Sequence, residues 1–413
     1  MGYEKLVVVA TWLRPIIQRK VVCILNITLP YSVQLAIQLL NNAGYEAYVV
    51  GGCVRDSLMG KSPYDWDITT SAHPAETLAV FTEYRTIETG LRHGTITVII
   101  DELPLEITTY RVDGNYTDGR HPDAVTFTPS LTEDLRRRDF TVNAMAYHPS
   151  LGLVDLFGGQ KDIERSIVRC VGNPTERFQE DALRMIRGLR FAATLGFSID
   201  NATGIAIHQL CNNLSIVSAE RITTEFKKLL CGNYATDILA QFSDVIAVFL
   251  PEIGGIPLHV HLSDLPPLPH VRLAALFRDA NIDVNQANRA LQRLKFDSKT
   301  IKDVTTLLTV PSTAISEDDA KPLRLLQHLG PELIWDYYAL NRCDAKIIKK
   351  TQKLLDTHAC YKISMLAING QDLISLGMTP GPEIGCALNT LLDAVINGAC
   401  ENTKQSLLSY LEK

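Results

Sequence analysis

Tyr48-Val49-Val50-Gly51-Gly52-Cys53-Val54-Arg55-Asp56, followed by Tyr64-Asp65-Trp66-Asp67-Ile68, constrains this chain more than any other stretch. A short β-favouring run ends in two glycines, where the lack of a Cβ lets backbone N–H groups come close to a phosphate. Arg55 then offers a planar, permanently charged fork. Asp65 and Asp67 fall on the next predicted strand. Residues two apart on a strand point to one side, so both carboxylates face one cavity while Trp66 turns to the other face. Mg²⁺ needs only one or two protein carboxylates when water and substrate phosphate complete its shell, so this pair suits two Mg²⁺ ions on a polyphosphate. For either half alone, the plain alternative is a glycine turn or a solvated acidic loop.

Around this centre the hydrophobic spacing predicts an α+β fold. Val33, Ala36, Ile37 and Leu40 recur at helical spacing within 31–43, and Gly44 stops that helix before a strand at 47–50. Further strands are expected at Thr95–Ile100, Leu105–Tyr110 and around Val125–Phe127, giving a small mixed sheet with helices on one side. After Pro149 the pattern turns helical. Asn173-Pro174-x-Glu176 has the form of an N-cap, a first-turn proline and a capping-box glutamate. A helix through Leu183–Leu195 ends at Gly196, and another begins near Ser218 with Ile222, Phe226, Leu229 and Leu230 on one side. The proline-rich stretch 251–270 reads as a connector and 311–322 as a surface linker. From about 271 onward the chain reads as helices and short turns.

Composition bears on partners. The 413 residues carry a net charge of −6, the wrong sign for a uniformly basic nucleic-acid binder. Yet residues 111–190 hold eleven Arg and one Lys, an excess that favours planar, bidentate contacts over diffuse attraction. Nine cysteines without a C-x-x-C pair point to free thiols in a reducing cytosol rather than to zinc or disulfides. The apolar run at residues 6–13 is too short to span a bilayer, so a cytoplasmic protein without a membrane anchor is expected.

Three segments taken together resemble the class II tRNA nucleotidyltransferases, the CCA-adding enzymes, and their bacterial poly(A) polymerase relatives. They are the glycine pair with Asp65-x-Asp67; Arg136-Arg137-Arg138-Asp139-Phe140-Thr141-Val142-Asn143-Ala144, similar to an R-R-D-F-x-x-N-A segment; and Glu180-Asp181-Ala182-Leu183-Arg184-Met185-Ile186-Arg187-Gly188-Leu189-Arg190-Phe191. The likeness runs from about residue 45 to about residue 230. It implies a small mixed-sheet nucleotidyltransferase head at 28–160 after an extension at 1–27, then an all-α neck at 161–235, body at 236–310 and tRNA-binding tail at 311–413. The implied activity is addition of C, C and A to the tRNA 3′ end from CTP and ATP, without a nucleic-acid template, by two-metal nucleotidyl transfer with release of pyrophosphate. The oligomeric state, monomer or homodimer, stays open.

The same resemblance implies roles. Asp65 and Asp67 hold the metals, and Glu106, on a neighbouring predicted strand, completes the catalytic carboxylates; a surface glutamate is its alternative. Gly51, Gly52, Arg55 and Arg138 contact the nucleotide, with Asp139 and Asn143 bracing the ribose side, although three adjacent arginines could equally be a solvated turn. Asp181 and Arg184, one helical turn apart, present an acceptor beside donors. Cytosine and adenine share the order of amino donor and ring-nitrogen acceptor that such a pair accepts, and uracil and guanine do not. Arg187 and Arg190 continue at spacing three as further nucleotide contacts. The alternative is an i,i+3 surface ion pair. Arg221 and Glu225, in Ser218-Ala219-Glu220-Arg221-Ile222-x-x-Glu225, resemble a stiffening motif and are expected to pair at i,i+4.

The glycine-rich loop at 112–122 resembles one that enzymes adding only C lack, which favours full CCA addition; a loop of this length can also be structurally neutral. A bacterial poly(A) polymerase, an A-adding or CC-adding enzyme, and a non-catalytic RNA-binding relic are the competing readings. The non-basic last twelve residues disfavour the first, and the presence of both Asp65 and Asp67 disfavours the relic.

Overall fold

The computed structural model describes residues 27–113, 125–254, 259–311 and 320–412. The extension before Ile27 and most of the 112–122 loop lie outside the described residues, as do parts of the 251–270 connector and the 311–322 linker. The chain forms two compact units. The first takes residues up to 112 with 126–138 and 142–160, and the second takes 113–125, 139–141 and 161–413.

In the first unit, α1 (Tyr31–Asn42) buries Val33, Ala36, Ile37 and Leu40, the four positions picked out by spacing. A positive φ of 90° at Gly44 turns the chain into β1 (Ala47–Val50), which is buried throughout. The remaining early elements are α2 (Gly52–Leu58), β2 (Asp67–Thr70), α3 (Pro74–Val80), β3 (Arg85–Ile87), β4 (Thr95–Ile100), β5 (Leu103–Thr109), the short ribbon of β6 (Arg111–Asp113) and β7 (Val125–Phe127), α4 (Leu131–Arg136), β8 (Met145–His148) and β9 (Gly152–Asp155). Seven strands make one mixed sheet in the order β3-β4-β5-β2-β1-β8-β9. Within it β2 and β5 run parallel, and the other pairings are antiparallel.

The alternation along β4 and β5 fixes the sheet's two faces. Ile96, Val98, Ile100, Leu105 and Ile107 are buried on the side where α1 and α3 pack. Thr95, Thr97, Glu106 and Thr108 occupy the opposite, more open side. The helical character expected after Pro149 starts one hairpin late, because β8 and β9 pair there and β8 joins β1. Each is four residues long, and β8 is buried at every position, so no polar alternation marked it as a strand.

In the second unit, α5 (Gly159–Glu164), whose first two residues belong to the first unit, leads through β10 (Ile167–Val168) to α6 (Pro174–Glu180) and α7 (Leu183–Leu195). Asn173 caps α6 by accepting from Thr175 N–H, and its amide donates to Glu176 Oε1, a side-chain variant of the expected box. Helix α7 ends at Gly196, whose φ of 75° is the left-handed value a helix C-terminus favours. β11 (Ser198–Ile199) pairs with β10. After α8 (Asn201–Leu210), α9 (Ala219–Leu230) packs on α7 and buries Ile222, Phe226, Leu229 and Leu230. Among the described residues ten further α-helices follow: α10 (Ala235–Gln241), α11 (Ser243–Phe249), α12 (Pro269–Asp279), α13 (Val284–Arg293), α14 (Ser298–Thr309), α15 (Ala320–Leu340), α16 (Ala345–Asp356), α17 (Gly370–Ser375), α18 (Pro382–Ile396) and α19 (Lys404–Leu411). Helix α15 kinks at Gly330, just before Pro331. Eight of the nine cysteines are described and free, five of them buried, and among the described residues no helix is long and apolar enough to cross a membrane.

Candidate active site

Parallel pairing of β2 with β5 sets Asp67 directly beside Glu106, so the two carboxylates share a face of the sheet. Asp65 lies just ahead of β2 rather than within it, and is exposed, while Trp66 is buried. The D-x-D pair is therefore not two rungs of one strand, as its spacing suggested. Asp65 enters from the loop, and Glu106 supplies the strand-borne neighbour. Burial first, and then the charge of Glu106, push the Asp67 carboxyl up to about 6 against the opposing pull of Arg138, with Asp65 adding a further upward push.

Among the described residues, nothing forms an ion pair with Asp65, Asp67 or Glu106. Carboxylate oxygens such as those of Asp67 and Glu106, in register and without an ion-pair partner, are ligands that a hard divalent cation could take. Among the described residues no three His, Cys, Asp or Glu side chains come together closely enough to hold a metal ion on their own. An ion held here would need water or substrate phosphate to complete its shell, as Mg²⁺ commonly does.

Gly51 takes φ 83°, ψ −130° at the start of α2, a backbone conformation open to glycine and strained for other residues. A Cβ there would stand 3.3 Å from Arg138 Nη1, and one at Gly52 would stand 3.6 Å from Arg55 Nη2. The missing Cβ at Gly51 thus lets the Arg138 guanidinium lie against the turn, whereas one at Gly52 would make only ordinary contact with Arg55. Arg55 is buried, with Nη1 donating to Asn143 Oδ1 at 2.6 Å and Nε to Asp56 Oδ1 at 2.9 Å, so it shapes the turn from within rather than standing as an open fork. Arg138 is held by Asp134 at 3.1 Å, and its Nε has no hydrogen-bond partner among the described residues.

The 136–144 segment is divided. Arg138 belongs to the first unit, whereas Asp139, Phe140 and Thr141 belong to the second. There Asp139 is buried and accepts from Arg187 Nε at 2.8 Å, with Nη2 at 2.7 Å, and from Phe140 N–H at 2.9 Å. Burial alone would raise the Asp139 carboxyl, but Arg187 outweighs it and brings it to about 2. Phe140 packs edge-on against Phe191 and lies over Gly188, where an added Cβ would come within 2.9 Å of its ring.

Asp181 and Arg184 are not paired with each other. Asp181 caps the end of α6 in extended conformation, accepts from Leu183 N–H and forms an ion pair with Arg221 at 2.8 Å. Arg184, in the first turn of α7, donates to Glu180 Oε2 at 2.6 Å and to the Arg177 carbonyl. The i,i+3 surface ion pair that spacing allowed is thus replaced by two separate ones, because the chain breaks helix between the two residues. Arg221 and Glu225 likewise forgo their i,i+4 pairing. Arg221 goes to Asp181, and Glu225 lies 3.5 Å from Arg187 and 3.1 Å from Arg190. Since α9 already packs on α7, these cross-helix pairs brace it, consistent with a stiffening role. Arg190 also stacks on Phe191, 4.0 Å from the ring centroid.

Two groups escaped sequence reasoning: Asp134, fully buried behind Arg138, and Glu180, the actual partner of Arg184. Each lies four residues before its arginine. That spacing was the available signal, and it is common enough on helices to carry little weight alone.

A mixed sheet whose open face carries a glycine turn, adjacent strand carboxylates and an arginine defines a nucleotidyltransferase head, and residues 47–169 match the family profile described as the Poly A polymerase head domain. Residues 271–411 match tRNA nucleotidyltransferase domain 2. The CCA-adding enzyme of Enterococcus faecalis is 38% identical over 392 residues, 91% of this chain and 94% of that one. That of Lacticaseibacillus paracasei is 37% identical over 402 residues, 93% and 97% of the two chains. The crystal structure of the Bacillus stearothermophilus CCA-adding enzyme in complex with CTP superposes with a TM-score of 0.80 at 32% identity, covering 92% of this chain and 96% of that one. This chain belongs to the CCA-adding enzymes, and it is a nucleotidyltransferase.

Proposed function

We propose that this protein completes tRNA 3′ ends by adding C, C and A in turn from CTP and ATP, without a nucleic-acid template. The observation that carries the chemistry is the pair of carboxylates without an ion-pair partner in which Asp67 lies in register with Glu106. The full-length likeness to CCA-adding enzymes supports the choice of substrate.

Asp65 and Asp67, aided by Glu106, would hold two Mg²⁺ ions, whose chemistry when bound would be to lower the pKa of the tRNA 3′-hydroxyl and to offset charge on the leaving pyrophosphate. The hydroxyl oxygen attacks the α-phosphorus as its proton passes to water and the bond to pyrophosphate breaks. The rest of the protein's task is placement. Arg138 and the Gly51-Gly52 turn take the triphosphate, with Arg55 fixing the turn through Asn143. Asp181 and Arg184 read the base edge, and Arg187 and Arg190 support them. On binding, Arg184 exchanges Glu180, and Asp181 exchanges Arg221, for the donors and acceptors of C or A. The head, neck, body and tail division assigns tRNA binding to 311–413, and the working compartment is the cytoplasm.

The test is incubation with Mg²⁺ and a tRNA lacking its CCA end, each triphosphate being offered alone and then CTP with ATP, followed by sequencing of the 3′ ends. Tails of C, C and one A are expected. Open-length A tails would make it a poly(A) polymerase, and a stop after C-C, or addition of A alone to tRNA already ending in C-C, would restrict it to a partial reaction. In the same assay Arg184→Ala is expected to admit UTP or GTP, narrowing the preference for C and A by about tenfold or more, the value of one or two base-edge hydrogen bonds. Unchanged selectivity would remove Arg184 from base recognition.

A further inference from the structure

Asp134 is 0% exposed, and its carboxylate sits among five donors. Oδ1 accepts from Arg137 Nε at 2.9 Å and Nη2 at 2.8 Å, and from Arg111 N–H at 3.4 Å. Oδ2 accepts from Thr69 Oγ1 at 3.2 Å and from Arg138 Nη2 at 3.1 Å. Thr69 lies two residues beyond Asp67 on β2, hence on the same side of the strand. A continuous path therefore runs from the strand that carries Asp67, through Thr69 and Asp134, to the guanidinium of Arg138.

That path answers a question of competition. An arginine whose charge is felt by Asp67 would ordinarily close onto Asp67 or Glu106, and such a pair would consume both the cation ligands and the phosphate donors. Here Arg138 instead gives Nη2 to Asp134, leaves Nε without a partner and lays Nη1 against Gly51. Helix α4 supplies the geometry: Ser130 caps it, accepting from Glu133 N–H, and Asp134 precedes Arg137 by three residues and Arg138 by four.

We propose that Asp134 is a positioning residue for nucleotidyl transfer, holding Arg138 off the metal-binding carboxylates and tied to the register of β2, so that Nη1 of Arg138, beside the Gly51 turn, receives the triphosphate. This rests on the assignment of Arg138 to the triphosphate under the proposed function. Asp134 touches neither substrate nor metal and acts through Arg138.

The sign of one substitution separates this role from simple electrostatics. Removing a negative charge near an anion site should tighten anion binding. The clamp predicts that Asp134→Asn weakens it, because a neutral amide holds Arg138 poorly and the guanidinium turns onto Asp67 or Glu106. Binding of inorganic tripolyphosphate with Mg²⁺ is measured by calorimetry on the full chain, for wild type, Asp134→Asn, Arg138→Ala and the double variant. Asp134→Asn is expected to weaken binding about tenfold, in the range of a charge-assisted hydrogen bond, and to add no further loss in the Arg138→Ala background. In turnover it should raise the KM for CTP and ATP while tRNA affinity stays within about twofold, since no tRNA contact is altered.

Arg138→Lys provides a second arm should Asp134→Asn not fold. It keeps the charge but cannot give one edge to Asp134 and another to phosphate, so a loss of about the same size is expected. Tighter binding by Asp134→Asn, an equal loss with and without Arg138, or full affinity in Arg138→Lys would each overturn the clamp. An Arg138→Ala variant with wild-type tripolyphosphate affinity would overturn the assignment of Arg138 itself, and the clamp with it.

Discussion

Asp67→Asn is expected to stabilise the protein in chelator at pH 8 while reducing nucleotide incorporation about a thousandfold or more, roughly 4 kcal/mol of transition-state stabilisation. The two effects share one cause. Burial and the adjacent Glu106 raise the Asp67 carboxyl from its ordinary 3.8 to about 6, so the ionised form is less comfortable in the folded protein than in the unfolded chain. A carboxyl raised in this way favours folding fully below about pH 4, and its contribution is lost as pH climbs through 6. Asparagine, always neutral, should match the wild type near pH 4 and exceed it increasingly up to about pH 6, with a plateau above. Allowing for its partial exposure, the gain is about 1–2 kcal/mol, or about 3–6 °C in the melting temperature of the first unit. Added Mg²⁺ should reverse the order, since only the wild type binds it tightly and gains stability from doing so. Calorimetric melting of both proteins between pH 4 and 8, with EDTA and then with Mg²⁺, checks this. A variant less stable than wild type in EDTA at pH 8 would mean that Asp67 belongs to a structural network instead.

Asp139→Asn should behave in the opposite way. Asp139 is buried, and despite the upward push of burial, Arg187 brings its carboxyl to about 2. Folding is therefore supported above about pH 4, and that support is lost as pH falls through 2. The amide keeps the contact with Phe140 N–H but leaves Arg187, held in part by Glu225, short of its principal counter-charge. Breaking one side of such a buried pair costs about 3 kcal/mol. Urea unfolding at pH 7.5 should show that loss, and the gap between variant and wild type should narrow below pH 4. A constant gap from pH 7 down to 2 would show that the charge on Asp139 is not what stabilises the pair. Since Arg187 lies on the helix that carries Arg184, a raised KM for both triphosphates should accompany the loss.

Much of the candidate site was legible as a pattern because its residues lie close together in sequence. A glycine with positive φ, a carboxylate two residues from another and an arginine run within an otherwise apolar segment each leave a mark within ten residues of sequence. Other parts were legible only in outline. The β8–β9 hairpin completes the sheet beside β1, yet β8 is buried on both sides and shows no alternation. The reverse error concerns Asp181 and Arg184: their spacing suggested one helical face, but the chain leaves helix at Asp181 and re-enters at Leu183, so each finds a different partner. Arg221 and Glu225 show the same failure, because partners on α7 and at the end of α6 displace the local i,i+4 choice.

Arg272 marks the limit of sequence reading. It is 1% exposed in α12, and its guanidinium donates to the backbone carbonyls of Leu230, Gly232, Leu265 and Pro266, with burial lowering its pKa. An arginine amid Val271, Leu273 and Ala274 reads simply as a charged residue on a helix, and nothing near it announces that carbonyls at the end of α9 join those just ahead of α12 around it.

By itself, the sequence determined the α+β class, the bounds of a few helices such as α1 and α7, and the residue types at the centre, since capping, periodicity and glycine conformations depend on neighbours along the chain. Tertiary structure decided which distant charges meet. It set Glu106 beside Asp67 through a parallel register, gave Arg187 to Asp139 and Arg221 to Asp181, and so parted Asp181 from Arg184. An ion pair forms with whichever partner burial and geometry bring within about 3 Å, and spacing along the chain constrains that choice only inside a single helix or strand.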